Sequence, residues 1–266
     1  HGFSIIATLV LQEMAARLGI ITGKGLGEAI RDLLPNGPLA IISITLVVLA
    51  IGFGNAAFQT GNITGAAMAL ASITSINIQI FAVLIGITAG LILLTGQYYI
   101  VERILITLVL TMSGIFLLTA IVSLPEISTL FKETRTPIFL SKESTTTIIA
   151  LIGTTVVPYN LFLHSKAVTE KWPQTKPLDE SVVKSRLDSG VSIGLGGLIT
   201  LAIMSNSAVT FFGNTIDVSQ NSMSSQLEPL LGPAAIYVFA VGLFASGLTS
   251  AITAPMAAAY AVTGVM

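Results

Sequence analysis

From Leu33 to Val101 the chain carries no Asp, Glu, Lys or Arg. Nothing constrains its fold more. A helix needs about 20 apolar residues to cross the ~30 Å hydrocarbon core of a bilayer, so this interval is long enough for two crossings. Further uncharged runs occupy Ile104–Pro125, Ser144–Ser165, Ser189–Ile216 and Pro229–Met266. With the opening stretch "GFSIIATLVLQEMAARLG" they predict seven membrane helices, over about 2–20, 38–70, 77–96, 101–124, 144–168, 188–212 and 233–262. These runs are far longer than the ~10-residue alternating strands of a membrane barrel. The expected fold class is therefore all-α, a polytopic membrane helix bundle forming a single transmembrane domain over residues 1–266.

Composition agrees. Only 9% of residues are charged and 53% are hydrophobic, where a soluble domain carries roughly 25% charged residues. A net charge of −1 gives no electrostatic footprint for nucleic acid. Without cysteine there is no disulfide framework, Cys-based zinc site or thiol nucleophile. The chain starts at His1 and stops inside the apolar run "AAAYAVTGVM", and so reads as a piece of a longer protein.

Alternating the connecting segments places Arg17, Lys24, Arg31, Arg103, Lys166, Lys171, Lys176, Lys184 and Arg186 on one side, and only Lys132, Arg135 and Lys142 on the other. Cytoplasmic loops are enriched in Lys and Arg. The loops 20–37, 96–101 and 169–187 are thus expected to face the cytoplasm, in a bacterial inner membrane by their shortness. The last of them, "TEKWPQTKPLDESVVKSR", reads as a solvated linker. The lipid bilayer is one expected partner; the oligomeric state is open.

One span is polar at mid-depth: "TTVVPYNLFLHS", Thr154 to Ser165. Pro158 removes a backbone donor, and its ring clashes with the carbonyl of Thr154 four residues back. Gly153 lowers the cost of leaving helical geometry. Two readings follow, a simple kink or an unwound segment. If the helix unwinds, carbonyls near Thr154 lose their partners and present partial negative charge, a device by which discontinuous helices hold cations at mid-membrane.

"TTVVPYNLFLHS" resembles the sixth helix of the Nramp (natural resistance-associated macrophage protein) divalent-metal transporters, whose pattern is Met-Pro-His-Asn, an aromatic-rich pair, then Leu-His-Ser. "LQEMAARLGIITGKGLGEAIR" resembles the family's second helix and the loop after it, and "YYIVERILITLVLTMSGIFL" the fifth. "SRLDSGVSIGLGGLITLAIMSNSAVTFF" and "LEPLLGPAAIYVFAVGLFASGLTSAI" resemble the seventh and eighth. The resemblance covers essentially the whole chain. It implies a LeuT-like inverted-repeat transporter fold, of which this chain holds helices two to eight. It also implies an unwound segment at Thr154–Val157, with Gly153, Pro158 and Asn160 forming the break, and a divalent metal ion as transported substrate in place of any cofactor.

The departures from the family pattern carry the chemistry. The family's metal-binding Met falls on Val157, and an isopropyl group ligates nothing, whereas a thioether selects softer transition ions. The family's first His falls on Tyr159; the second is retained as His164. The backbone carbonyl used by the family falls on Thr154. In the third helix, aligning on Gly-Ala-Ala puts Gln59 and Asn62 where the family carries an Asp and a Glu tied to proton movement. Neither amide titrates. A wider site of Thr154, Val157, Tyr159, Gln59 and Asn62 suits a hydrated ion, since magnesium prefers oxygen donors and keeps several waters. This pattern resembles the Nramp-related magnesium transporters, and implies uncoupled movement of Mg2+, with Mn2+ as a competing substrate.

Blander readings stand beside these. Gln59 and Asn62 are equally placed to make interhelical hydrogen bonds. His164 is either a core histidine or a relay. Asn160 suits capping of the freed backbone groups, and Glu13 with Arg17 an i, i+4 pair near one helix end. Ser205 and Asn206 are minor candidates. Of the rival functions, a proton-coupled Mn2+ or Fe2+ transporter is nearest. An intramembrane enzyme lacks its signatures: there is no His-Glu-x-x-His, and the Gly-x-Ser-x-Gly at Gly190–Gly194 lies in an uncharged run expected to be a membrane helix, not at a strand-to-helix nucleophile elbow.

Overall fold

The computed structural model describes residues 2–34, 37–95, 99–127, 142–173, 177–211 and 222–266. Lys132, Arg135 and Lys176, which enter the orientation argument, lie outside the described residues, as do 96–98 of the expected loop 96–101. The helices are α1 (Gly2–Thr22), α2 (Leu26–Leu33), α3 (Pro38–Ser72), α4 (Ile78–Thr95), α5 (Tyr99–Val122), α6 (Lys142–Thr155), α7 (Pro158–Lys171) and α8 (Leu178–Phe211). Three short turns, Met223–Leu227, Glu228–Leu231 and Gly232–Ala234, then lead into α9 (Ala235–Val265). Among the described residues seven helical spans are long and apolar enough to cross a membrane, with α6 and α7 together making one of them.

The sequence supplies what helices in lipid require. With no water available, backbone groups must be paired within the protein, and several hydroxyls meet their own demand on the same helix. Thr8 donates to the Ser4 carbonyl at 2.8 Å, Thr111 to Thr107 at 2.8 Å and Thr249 to Ala245 at 2.7 Å, each one turn back along its own helix. Large apolar side chains face outward along the spans: Leu94 is 85% exposed and Phe53 76%. For a water-soluble protein that would be an aggregation hazard, whereas against lipid tails it costs nothing.

Two expectations are corrected. The loop 20–37 is not simply a loop. Gly23, at φ 68°, ends α1 with its N–H on the Gly19 carbonyl at 2.9 Å, and α2 then forms. The Gly25 N–H ahead of α2 is satisfied by the Glu28 carboxylate at 3.0 Å. The segment 169–187 is not a linker throughout either, because α8 begins at Leu178 rather than near 188. Asp179 and Glu180 occupy its first turn, where negative charge favours the helix. Glu180 and Lys184 pair at 2.5 Å one turn apart. Lys184 and Arg186 therefore sit on a helix.

The chain divides into two compact units. The first contains His1–Phe58, Leu140–Gly197 and Ala254–Met266. Within it α1 packs along α7 around Ala16, Ile20, Val168 and Trp172. The approach is close enough that a Cβ on Gly19 would lie 2.4 Å from the Ser165 carbonyl oxygen. A further cluster gathers Ile51, Phe162, Ala261 and Val265, with Leu26, Ile30 and Tyr159 against it.

The second unit contains Gln59–Phe139 and Leu198–Thr253. Its core is built of small residues, Ala66, Ala67, Ala89, Ala245 and Ala251, with Ile85, Leu105, Leu248 and Ile252. Small side chains let helix backbones come close, which is how packing and hydrogen bonding hold helices together where the solvent is itself apolar. Beside it, Phe116 and Phe239 meet edge to face at 6.4 Å, next to Leu227 and Ala235.

Candidate functional site

In the first unit the span from Lys142 to Lys171 is interrupted at Val156 and Val157 only; Thr154 and Thr155, expected in the unwound segment, still belong to α6, so the break is shorter than the resemblance implies. Val157, at φ −91° and ψ 119°, is extended and immediately precedes Pro158, the first residue of α7. A residue before proline is disfavoured in the helical region, so the local sequence accounts for the break. The last regular bond of α6 runs from the Val156 N–H to the Ile152 carbonyl at 2.9 Å, and the first turn of α7 from the Asn160 N–H to the Val157 carbonyl at 3.2 Å. Between them, among the described residues, the carbonyls of Gly153, Thr154, Thr155 and Val156 receive no backbone N–H. The negative end of the α6 dipole coincides with these free oxygens.

The side chains at the break are arranged differently from one another. Thr154 and Gly153 are exposed, and Val157 is buried. The Thr154 hydroxyl turns back to the Leu151 carbonyl at 3.1 Å, and Thr155 shares that acceptor at 2.8 Å. Tyr159 is half-buried against Ile51, Phe162 and Ala261, with its ring edge-on to Phe58 at 5.7 Å. Asn160 contributes its backbone N–H to the turn, and among the described residues its side chain does not cap the free carbonyls. Further along α7, His164 Nε2 and the Ser189 hydroxyl are 3.1 Å apart.

The polar end of α7 is tied to α2. The Ser165 hydroxyl accepts the Leu26 N–H at 2.8 Å, and Lys166 Nζ donates to Glu28 at 2.8 Å. Lys166 and the Gly25 N–H together hold the Glu28 carboxyl below its usual range. A cavity of about 210 Å3 opens beside this pair, lined by Gly25, Glu28, Lys166, Tyr260 and Thr263 among others. Glu13 does pair with Arg17, at 3.7 Å, but its nearer partner is Arg186 of α8 at 2.7 Å.

The amides of α3 belong to the second unit from Gln59 onward. Gln59 donates from Nε2 to the Ala251 carbonyl at 2.9 Å, an interhelical bond to α9. Among the described residues its Oε1 and the Nδ2 of Asn62 are buried without a hydrogen-bond partner. Asn206 donates to the Phe116 carbonyl at 3.1 Å. The sequence reading overlooked Asn55, which is 9% exposed and whose Oδ1 has no hydrogen-bond partner among the described residues. The signal was present: 55, 59 and 62 recur at helical spacing on one face of a charge-free helix. Among the described residues no three His, Cys, Asp or Glu side chains come together as ligands for a metal ion.

A bundle of apolar helices with outward-facing leucines, one of them broken at mid-span, defines a multi-pass integral membrane protein. The natural resistance-associated macrophage protein-like profile, Nramp, matches residues 2–266, and the chain belongs to that family. It is 27% identical over 256 residues to the divalent metal cation transporter MntH of Pectobacterium carotovorum, covering 95% of this chain and 60% of that protein. It is 30% identical over 271 residues to the metal transporter Nramp1 of Populus trichocarpa, covering 97% and 49%. The chain thus spans about half to three-fifths of the length of these relatives. Among solved structures, a histidine-to-alanine mutant of the Eremococcus coleocola manganese transporter superposes with a TM-score of 0.70 at 26% identity, over 99% of this chain and 57% of that one. The fold is of the LeuT-like type.

Proposed function

We propose that this chain is part of a divalent metal cation transporter that moves hydrated Mg2+, and Mn2+ less selectively, without coupling to protons. The observation that carries the reading is the row of unpaired carbonyls from Gly153 to Val156, with Val157 in the position where the family pattern has a methionine. Oxygen donors without a thioether match a hard cation that sheds its water reluctantly. The Thr154 and Thr155 carbonyls at the negative end of α6 offer that charge complementarity without a carboxylate. Tyr159, one residue into α7, adds a bulky ring where the family pattern has His.

Gln59 and Asn62 support the absence of proton coupling. They stand where the family pattern carries the acidic pair, and an amide neither takes up nor releases a proton near neutral pH. The driving force need not be a proton. An inside-negative potential is worth about 2.3 kcal/mol per charge per 100 mV, and a divalent ion gains twice that on entry. The orientation that puts Lys24, Arg31 and Lys166 in the cytoplasm belongs to the same reading.

A proton-coupled manganese transporter is the second reading, favoured by the names of the relatives. Uptake into proteoliposomes separates the two. The magnesium reading expects Mg2+ uptake that Mn2+ competes for and that Cd2+ inhibits weakly. Strong Cd2+ and Mn2+ uptake with no Mg2+ uptake would select the manganese reading instead.

A further inference from the structure

Tyr159 sits where the broken span resumes, the second residue of α7 and just beyond the extended Val157. Its ring is held from two directions. Ile51, Phe162 and Ala261 form the cluster it leans on. The half-buried ring of Phe58 meets it edge to face, with centroids 5.7 Å apart and planes at 82°. Ile51 and Phe58 lie two turns apart on one face of α3. That face therefore bears on the start of α7 at two levels. Packing is what fixes the ring, because among the described residues the Tyr159 hydroxyl enters no hydrogen bond.

The two contacts do different things. Pro158 restricts its own φ and keeps Val157 out of helical geometry, but it leaves the Tyr159 side-chain torsions open. The aliphatic cluster supplies buried area without direction, since the hydrophobic effect is non-directional. An aromatic partner adds direction. The positive edge of one ring seeks the negative face of the other, so such pairs prefer edge-on or offset arrangements. Phe58 is thus the contact that selects an orientation for Tyr159. Orientation matters here because Tyr159 follows directly on the break, whose carbonyls from Gly153 to Val156 receive no backbone N–H among the described residues.

We infer that Phe58 is a positioning residue for ion selectivity, holding the Tyr159 ring as a fixed wall beside the break. The inference rests on the reading of Tyr159 as part of the ion's path and deepens it, since Phe58 acts through Tyr159 and not on the ion. A fixed wall matters most to an ion that passes with its waters. Mg2+ dehydrates reluctantly and keeps several of them. An ion that sheds water more readily, such as Mn2+, reaches the carbonyls directly and depends less on the wall.

The test measures uptake of Mg2+ and Mn2+ into proteoliposomes by the intact protein. Phe58→Leu removes the ring and keeps apolar bulk. Losing one edge-on pair corresponds to roughly a two- to tenfold change in an equilibrium. The KM for Mg2+ is accordingly expected to rise about threefold or more with kcat held, and the KM for Mn2+ to change by less than about twofold. Phe58→Tyr keeps the aromatic edge and is expected to restore the wild-type ratio of the two KM values. Phe58→Met, also without a ring, repeats the measurement where the leucine variant does not fold. In a Tyr159→Leu background, Phe58→Leu is expected to leave the ratio where Tyr159→Leu alone puts it. An unchanged ratio in Phe58→Leu, when Tyr159→Leu does alter it, overturns the inference and leaves the transporter reading standing. An equal change in both backgrounds overturns it too, because Phe58 would then act without Tyr159. A fall in kcat for both ions with the ratio held marks a structural role and has the same consequence. A protein that takes up no Mg2+ sinks the magnesium reading and this inference together.

Discussion

Lys166 donates from Nζ to Glu28 across 2.8 Å, joining the half-helix that follows the break to the short helix α2. The neighbouring Ser165 hydroxyl takes the Leu26 N–H at 2.8 Å, so two consecutive residues of α7 hold two residues of α2. Because α7 starts at a break, it lacks the continuous backbone bonding that would otherwise fix its direction. Side-chain ties to α2 and the close seating on α1 take over that task.

The tie has a pH signature. The Lys166 hydrogen bond, and then the Gly25 N–H, lower the Glu28 pKa from an ordinary value of 4.5. A depressed carboxyl contributes stability that is present above the unfolded value and lost as pH falls through the folded one. Both partners are over a third exposed, at 35% and 38%, so the pair contributes only about 0.2–1 kcal/mol. Lys166→Met is expected to lower the thermal midpoint slightly at pH 7. Thermal scans in detergent are expected to show that difference shrinking once the pH drops below 4.5. A difference that stays constant across the range would contradict this assignment.

Gly19 sets the α1–α7 distance. Adding a methyl group there places a carbon 2.4 Å from the Ser165 carbonyl oxygen and 2.7 Å from a Val168 methyl. Backbone has to shift, so Gly19→Ala is expected to destabilise the protein by about 1–3 kcal/mol, read as a lower midpoint. Gly194→Ala is the matched control, as nothing lies within 4 Å of its Cβ position. That variant is expected to hold or slightly raise the midpoint, because alanine outranks glycine in a helix.

Val157→Met tests the chemistry of the break. A thioether beside the free carbonyls adds a soft ligand. The expected result is tighter Mn2+ or Cd2+ binding, measured by calorimetry, with poorer selectivity for Mg2+ in uptake competition. Unchanged selectivity would show that the Val157 side chain does not meet the ion.

How much of this could be read from residues alone varies with the element. The spans of α3, α4 and α9 fall inside the charge-free runs, because in lipid the exclusion of charge is itself the signal. The start of α8 was hidden for the same reason. Asp179, Glu180, Lys184, Arg186 and Asp188 crowd its first turns, and charge density there resembles a linker until the Glu180–Lys184 spacing is weighed. Helix α2 is only eight residues long, too short to reveal itself by apolar periodicity. The break was legible because Pro158 keeps Val157 out of helical geometry, whereas Gly153 stays inside α6. The spacing of 55, 59 and 62 puts Asn55 on the face of Gln59 and Asn62, but an amide in an apolar run gives no sign of whether its oxygen has a partner.

The most direct test of the central claim, an uncharged oxygen site that passes a divalent ion without protons, is simultaneous recording of metal and pH. Proteoliposomes holding the intact protein, a Mg2+ indicator and a pH-sensitive dye are given an inside-negative potential. Mg2+ entry that grows with the potential while internal pH stays level is the predicted result. Acidification that rises in step with metal entry would contradict it.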